Sequence, residues 1–515
     1  MQRQDLFTAA KIAEHAAGKI PGHTLAPALQ AIAAALLAEA KATPPKVAVG
    51  TECGASPASR ASGTFGGAPE PPGGTARPTG PTSPTGPTAA APDLSAEAAP
   101  AAEIRAAQEP SFAAILTAEG SDKATRHRYT PVYLEEFSRF QGVSSRILEI
   151  GVKEGASLRA YKRMLPLAEL WGIDVRPPSQ DTPGHLIIAD GYAAETWAQL
   201  PQFDLIIEDG SHRPADMLRG LPHFLAHLAP GGTLLIEDIP TEQAALDLLN
   251  ACPGGELTLT EPTSKRHDDR IFRYHKPGPP VDLIVPLGTG SQSDNDELKI
   301  LLRSAEKYCP DLGKVWIATT APPPWLTGAE VVEVPDSNKH NKDANLIRKL
   351  LACCERSTAD KVVRCSDDQV FLRPCRLNSL PLFRRDKAPD TFGDGKWSRR
   401  MKHTGEFLAA RGLPLAVTYD THCPQAFPRQ MPAALLQGVD WSGEQLCINT
   451  LLMGLRGCTW GAPYTRYKVT YESEAKEYPL APELWFAGYM DGAFLHGLRE
   501  QLFQLFPEKS RFEKC

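Results

Sequence analysis

The stretch FDLIIEDGSH, Phe203 to His212, sets an apolar strand against a burst of acid, glycine, hydroxyl and imidazole. A strand ending in polar residues is where open α/β sheets carry their chemistry. Further on, after the turn Pro230, Gly231 and Gly232, the apolar run TLLIEDIP ends in Glu237 and Asp238. Two neighbouring strand ends would bring Asp209, Glu237 and Asp238 to one rim, with His212 a short turn away. Three carboxylates and an imidazole make a hard-metal site with a base beside it, and oxygen ligands favour Mg²⁺, Mn²⁺ or Ca²⁺ over zinc. Taken singly, each acid reads equally well as a solvated loop residue or a helix cap. Their joint placement is what points to chemistry.

The elements that must position these residues are legible around them. RILEIGVKEGASLRAYKRM is a strand, a turn bearing Gly151 and Gly155, and a helix. Such a turn lets a ligand approach the backbone closely. LWGIDV ends a strand in Asp174, where a carboxylate can hold the two hydroxyls of a ribose, and HLIIADGY ends another in Asp190, placed to grip an adenine edge. Five strand signals alternating with helix signals predict a doubly wound parallel sheet over residues 110–276.

These residues resemble a family. ILEIGVKEG, GIDV, ADGY, FDLIIEDGSH and GGTLLIEDI are similar, in order and spacing, to class I S-adenosylmethionine-dependent methyltransferases. SDKATRHRYTPVY before the sheet, together with EDGSH, resembles the metal-dependent sugar O-methyltransferases that act on macrolide deoxysugars; Ala124 stands where relatives often have glycine. The resemblance implies a Rossmann-like fold with Glu149, Gly151 and Gly155 lining S-adenosylmethionine, Asp174 on its ribose and Asp190 near its adenine. It also implies Mg²⁺ on Asp209, Glu237 and Asp238, with His212 as the general base for a sugar hydroxyl.

A second α/β series begins after KPGPP with the strand VDLIVPLGTG. Asp367 and Asp368 follow the apolar strand in KVVRCSDDQVFLRP, a position suited to holding a metal against a diphosphate, although an acid pair alone is equally a solvated turn. LLRSAEKYCPDLGKVWIAT, NKDANLIRKLLACCE, SDDQVFLRP and YDTHCPQAF together resemble GT-A-like glycosyltransferases related to the Stealth sugar-phosphate transferases, over residues 281–465. That resemblance implies metal and diphosphate on Asp367 and Asp368, a nucleotide-sugar donor near Asn341, Lys342, Asn345 and Arg348, and His422 at the reacting centre. Gln369 stands where relatives often carry an acid or a histidine. The tail, 466–515, reads as a helical packing surface on this second domain.

Composition bounds the rest. The chain has 515 residues, too many for one ordinary core. With 55 basic against 61 acidic residues, it is not a coat for nucleic acid, although a local basic groove remains compatible with these numbers. Eleven cysteines without a CxxC pair suit reduced thiols in the cytoplasm of a bacterium or a phage-infected host. No apolar run is long enough for a membrane span. Residues 1–45 read as helices that pack on a partner or another copy of the chain, and the Pro/Gly/Thr-rich 46–107 as a disordered linker. The whole reads as a two-enzyme fusion: O-methylation of a sugar, and transfer of a glycosyl group to a polysaccharide, a glycoside or a modified DNA base. Two alternatives stand beside it. The second domain transfers a sugar phosphate, or one domain is an inactive binding module.

Overall fold

The computed structural model describes residues 111–259, 268–463, 468–469 and 484–514, so the segments read as helices (1–45) and linker (46–107) lie outside the described residues. Seven strands form the first sheet: β1 (Ser145–Ile150), β2 (Ala168–Asp174), β3 (His185–Ile188), β4 (Phe203–Glu208), β5 (Leu228–Ile236), β6 (Glu256–Leu259) and β7 (Arg270–His275). Their order is β3-β2-β1-β4-β5-β7-β6. The five strands expected from the sequence are parallel, and β7 and β6 add an antiparallel edge that their charged, interrupted sequences concealed.

Both faces of this sheet are covered, which is why its central strands read as continuous apolar runs. Ile147, Leu205, Ile207 and Leu235 pack beneath α1 (Phe112–Ala118), α2 (Thr130–Ser138) and α3 (Ala156–Met164). Leu148, Ile206, Leu234 and Ile236 face α4 (Ala194–Trp197), α5 (Pro214–His227) and α6 (Glu242–Ala251). Register then sets the rim. Ile150 lies opposite both Ile173 and Glu208, and Glu208 lies opposite Ile236. The next residue of each strand continues the ladder, Gly151 N donating to Ile173 O, Asp209 N to Ile150 O and Glu237 N to Glu208 O, each at 2.9 Å. Gly151, Asp209 and Glu237 therefore stand side by side.

The second sheet has the order β10-β9-β8-β11-β14, built from β8 (Val281–Pro286), β9 (Leu312–Ala318), β10 (Glu330–Val332), β11 (Lys361–Arg364) and, antiparallel at one edge, β14 (Gln425–Pro428). Between the last two run the short β12 (Gln369–Phe371) and β13 (Phe383–Arg384). Helices α7 (Asp296–Tyr308) and α8 (Lys342–Arg356) pack on opposite faces, Leu298, Leu301 and Leu302 against Leu283 and Val285, and Ile347 and Leu350 against Ile284 and Trp316.

The carboxyl-terminal segment, read in the sequence as a helical packing surface on the second domain, also supplies a strand. After β15 (Ala462–Pro463) and β16 (Lys468–Val469), residues Phe486–Tyr489 form β17, which pairs with β12. Phe486, Ala487 and Tyr489 are all buried, which suits a strand covered on both faces. Helix Arg499–Leu505 then packs Leu498, Leu502 and Phe506 on Ile300 of α7. The tail is thus part of the second fold, beyond the boundary expected at 465.

The two sheets belong to one compact unit rather than two loosely tethered domains. Ser138 Oγ accepts from Leu382 N at 2.9 Å, and Arg456 donates to Arg139 O at 2.9 Å. Buried Gln141 donates to Trp460 O at 2.5 Å and accepts from the backbone of Thr459 and Trp460 at 3.1 and 3.2 Å. Replacing it orphans three backbone groups at once. Gln141→Ala is expected to lower the unfolding free energy by about 2–3 kcal/mol, measured by denaturant unfolding. A cost no larger than that of the exposed Gln243→Ala would show that this amide does not tie the sheets together.

Candidate functional site

The rim of the first sheet is built from the turn after β1 outward. Gly151 and Gly155 have φ of 90° and 74°, and a side chain at either would overlap the Asp209 carbonyl or Thr182. The turn is therefore closed against any residue with a Cβ. Asp174, at the end of β2, accepts from Lys153 N at 2.8 Å and Arg176 N at 3.0 Å, fixing its carboxylate beside that turn. Asp190 accepts from Tyr192 N at 2.9 Å and meets Arg219 at 3.2 Å.

The acids beyond the strand ends are held by a segment whose individual roles the sequence reading missed. Lys123, 1% exposed, lies 2.5 Å from Asp209 Oδ2, 2.9 Å from Glu237 Oε2 and 3.6 Å from Glu149 Oε1. Tyr133 donates its hydroxyl to Glu237, and Tyr129 donates to Asp238. His127 Nδ1 lies 3.1 Å from both Asp238 Oδ1 and Asp269 Oδ1. All four come from SDKATRHRYTPVY. A lysine in a polar run reads as solvated, so the only signal was the density of hydrogen-bonding residues just ahead of the sheet.

Burial on its own would pull the Lys123 ammonium down, but the Asp209 and Glu237 carboxylates more than reverse this and hold it protonated. Burial lowers His127 as well, yet hydrogen bonds to Asp122 and Asp238 raise it to about 10. Burial pushes the Glu149 carboxyl up to about 7 against the pull of Lys123. Glu208, beneath the rim, is likewise pushed to about 7 by burial, against a hydrogen bond from Tyr192.

Ligand atoms of Asp209, His212 and Asp238 lie within 4.8 Å of one another, a set that could hold a metal ion. His212 and Asp238 both sit at positive φ, 54° and 52°, a strained backbone for side-chain-bearing residues and one found at functional sites. Glu237, expected as a third metal ligand, instead turns into the buried bonds with Lys123 and Tyr133. Glu149 also faces inward, toward Lys123 and Tyr161, rather than lining an open turn.

The second sheet carries a cleft of about 900 Å³ at the carboxyl end of β11, lined by Asp367, Asp368, Lys342, Asn345, Arg400 and His422 among others. Burial, reinforced by Asp368, pushes Asp367 up to about 7. Gln369 ties the turn to its neighbour, accepting from Ser366 N at 3.0 Å and donating to His422 O at 2.6 Å. His422 has a φ of 57°. Lys349, from α8, donates to Leu287 O at 2.7 Å and meets Asp336 at 2.8 Å, anchoring the loop after β8. Asn341 and Arg348 do not line the cleft: Asn341 caps α8 and bonds Glu444 O, and Arg348 bonds Ser337 and Asn345. Sequence reading missed the buried Arg364, which donates to Asn449 at 2.8 Å, and Asp420, which accepts from Thr450 Oγ1 at 2.6 Å. It also missed Met490–Gly492, which reach the cleft from the tail.

Comparison with known proteins adds to the first sheet. Residues 148–239 match the family model of a methyltransferase domain. The 8-demethyl-8-α-L-rhamnosyl tetracenomycin-C 2′-O-methyltransferase of Streptomyces olivaceus is 30% identical over 145 residues, 26% of this chain and 38% of the relative. The mycinamicin VI 2″-O-methyltransferase of Micromonospora griseorubida is 31% identical over 128 residues, 22% of this chain and 32% of the relative. The chain thus spans well under half the length of these curated relatives. Among solved structures, the MycE methyltransferase with Mg, SAH and mycinamycin VI is 22% identical over 33% of this chain and 56% of that one, with a TM-score of 0.29. The methyltransferase match thus falls on the first sheet, from β1 through the residues that follow β5.

The crowded acids predict a pH signature. A carboxyl raised by burial binds more protons folded than unfolded, so stability falls as pH rises from its ordinary 4.5 to about 7, the window set by Glu149 and Glu208. Lys123→Met removes the cation that offsets this, and is expected to cost about 3–5 kcal/mol at pH 8. Part of that loss should return at pH 5, where the orphaned carboxyls take up protons. Equal losses at both pH values in thermal unfolding would mean that the acids are not charged against one another.

Proposed function

We propose that the first sheet catalyses S-adenosylmethionine-dependent O-methylation of a sugar hydroxyl on a glycoside. The observation that supports this best is the convergence of Asp209, His212 and Asp238 one strand away from the Gly151–Gly155 turn. The two named relatives are O-methyltransferases, one of them of a rhamnosyl tetracenomycin, and the matched methyltransferase model covers these same residues.

The carboxylates of Asp209 and Asp238 fit a hard cation, with the imidazole of His212 within 4.8 Å of both and no thiolate in the group. Asp209 and Asp238 would hold Mg²⁺, which when bound supplies a positive charge that makes a sugar hydroxyl more acidic. Lys123 holds Asp209 Oδ2, and His127 and Tyr129 hold Asp238 Oδ1, so the pair is oriented before any ligand arrives. His212, exposed at the edge of the rim, takes the hydroxyl proton. The methyl donor would lie along the Gly151–Gly155 turn, whose glycines let the Asp209 carbonyl and Thr182 pack tightly behind it, and the Asp174 carboxylate would orient its ribose. Methyl transfer is an in-line displacement, so most of the protein's contribution is placement.

For the second sheet the reading is transfer from a nucleotide sugar. In its favour, the cleft combines Asp367 and Asp368 with Lys342 and Arg400, a mixture suited to a diphosphate and its counter-cation, and His422 is among the residues that line it. Transfer of a sugar phosphate would use the same cleft, and phosphorus in the product linkage distinguishes the two.

Calorimetric titration separates the two sites. S-adenosylmethionine is expected to bind the wild type and to lose at least about tenfold in affinity in Asp174→Ala, while a nucleotide sugar with Mn²⁺ loses as much only in Lys342→Ala. His212→Ala should retain S-adenosylmethionine and lose about a hundredfold or more in methyl transfer to a rhamnoside acceptor. Undiminished methyl transfer in His212→Ala would remove the histidine from the reaction. Failure of every nucleotide sugar to bind would remove the second reading alone.

A further inference from the structure

Where the two sheets meet, a cavity of about 230 Å³ opens among residues of both. Arg139, Asp204 and Gly231 line it from the first sheet, Lys361, Gln425 and Arg456 from the second. Asp204 stands at the start of β4 and Lys361 at the start of β11. The cavity therefore lies at the strand ends opposite to those that carry Asp209 and Asp367, and neither proposed reaction uses it.

Its charge is unbalanced. Arg139, with a side chain 9% exposed, donates to Thr233 Oγ1 at 2.5 Å and lies 3.3 Å from Glu136. That carboxylate is shared with Arg273 at 3.4 Å and His275 at 3.5 Å. Arg456 donates to Arg139 O, and Lys361 donates to Asn378 O at 2.8 Å. Neither has a carboxylate within ion-pair distance among the described residues. The Nε atoms of Arg139 and Arg456 are both buried and lack a hydrogen-bond partner there. Burial pulls Lys361 down to about 8, and Arg139 adds to the effect. Buried guanidinium nitrogens left unpaired are costly, and natural proteins seldom tolerate them without a ligand, an ion or ordered water.

Lys361 and Arg456, with no carboxylate partner of their own, and Arg139, whose Glu136 is shared with Arg273 and His275, outweigh the one lining carboxylate, Asp204, and leave an excess that a doubly charged ligand matches. Guanidinium groups prefer tetrahedral oxyanions, whose several acceptors satisfy several N–H donors at once. Chloride would offset one charge and give no directional bonds. We infer that this seam binds a small phosphate-type dianion, either inorganic phosphate or the phosphate of a small monoester, bridging Arg139 of the first sheet to Lys361 and Arg456 of the second. Its occupancy would fasten the two sheets together away from both candidate sites.

Thermal unfolding of the full chain tests this, with inorganic phosphate and glycerol 3-phosphate compared against chloride at matched ionic strength. A saturable rise of a few degrees in the unfolding midpoint is expected from at least one of the two probes, and whichever acts identifies the source. Lys361→Met and Arg456→Met should abolish the rise, Lys361→Arg should keep it, and Asp204→Asn should reach it at lower concentration. Lys342→Ala should also keep it, which excludes phosphate bound in the second cleft. If the methionine variants fail to fold, the Lys361→Arg and Asp204→Asn results decide. No phosphate-specific rise in the wild type, a rise that survives Lys361→Met, or one that is weakened in Asp204→Asn overturns the site.

Discussion

One buried ammonium carries the first site. Lys123 sits among Asp209, Glu237 and Glu149, three carboxylates that strand register forces onto one rim. Without a cation, like charges at such separations in a dry environment repel strongly. With it, the segment before the sheet is pinned across three strand ends, and Tyr129, Tyr133 and His127 follow onto the remaining oxygens. The rim is thus a network in which each acid is oriented by a partner from one short stretch of chain. Asp238, at positive φ, belongs to that network through Tyr129 and His127.

The sheets were legible because their strands are buried on both faces and so read as apolar runs between glycine and polar punctuation. The rim was legible for the same reason: Asp209 and Glu237 each follow an apolar strand by one residue. Partner assignments were not. That Glu237 turns toward Lys123 while Asp238 turns toward His127 depends on a contact between segments 114 residues apart, which no local pattern encodes. Asn341 and Arg348 show the opposite failure, because a helix cap and a helix-face arginine carry the same letters as ligand-binding residues. Residues Met490–Gly492 were invisible as cleft residues because their segment reads as apolar packing until β17 pairs with β12.

The joining of the sheets keeps both candidate sites clear of the seam. The seam involves the starts of β4 and β11, while the candidate sites lie beyond their ends. The second site differs from the first in its electrostatics. Its acids are balanced by Lys342, Arg364 and Arg400 arriving from separate elements, whereas a single lysine serves most of the first rim.

The most direct test of the account is a crystal structure of the protein with S-adenosylhomocysteine and Mn²⁺, with the metal located by its anomalous scattering. The account predicts the homocysteine ligand along the Gly151–Gly155 turn with its ribose on Asp174, and a manganese peak between the carboxylates of Asp209 and Asp238. Ligand bound at the turn with no metal between those two acids would contradict it.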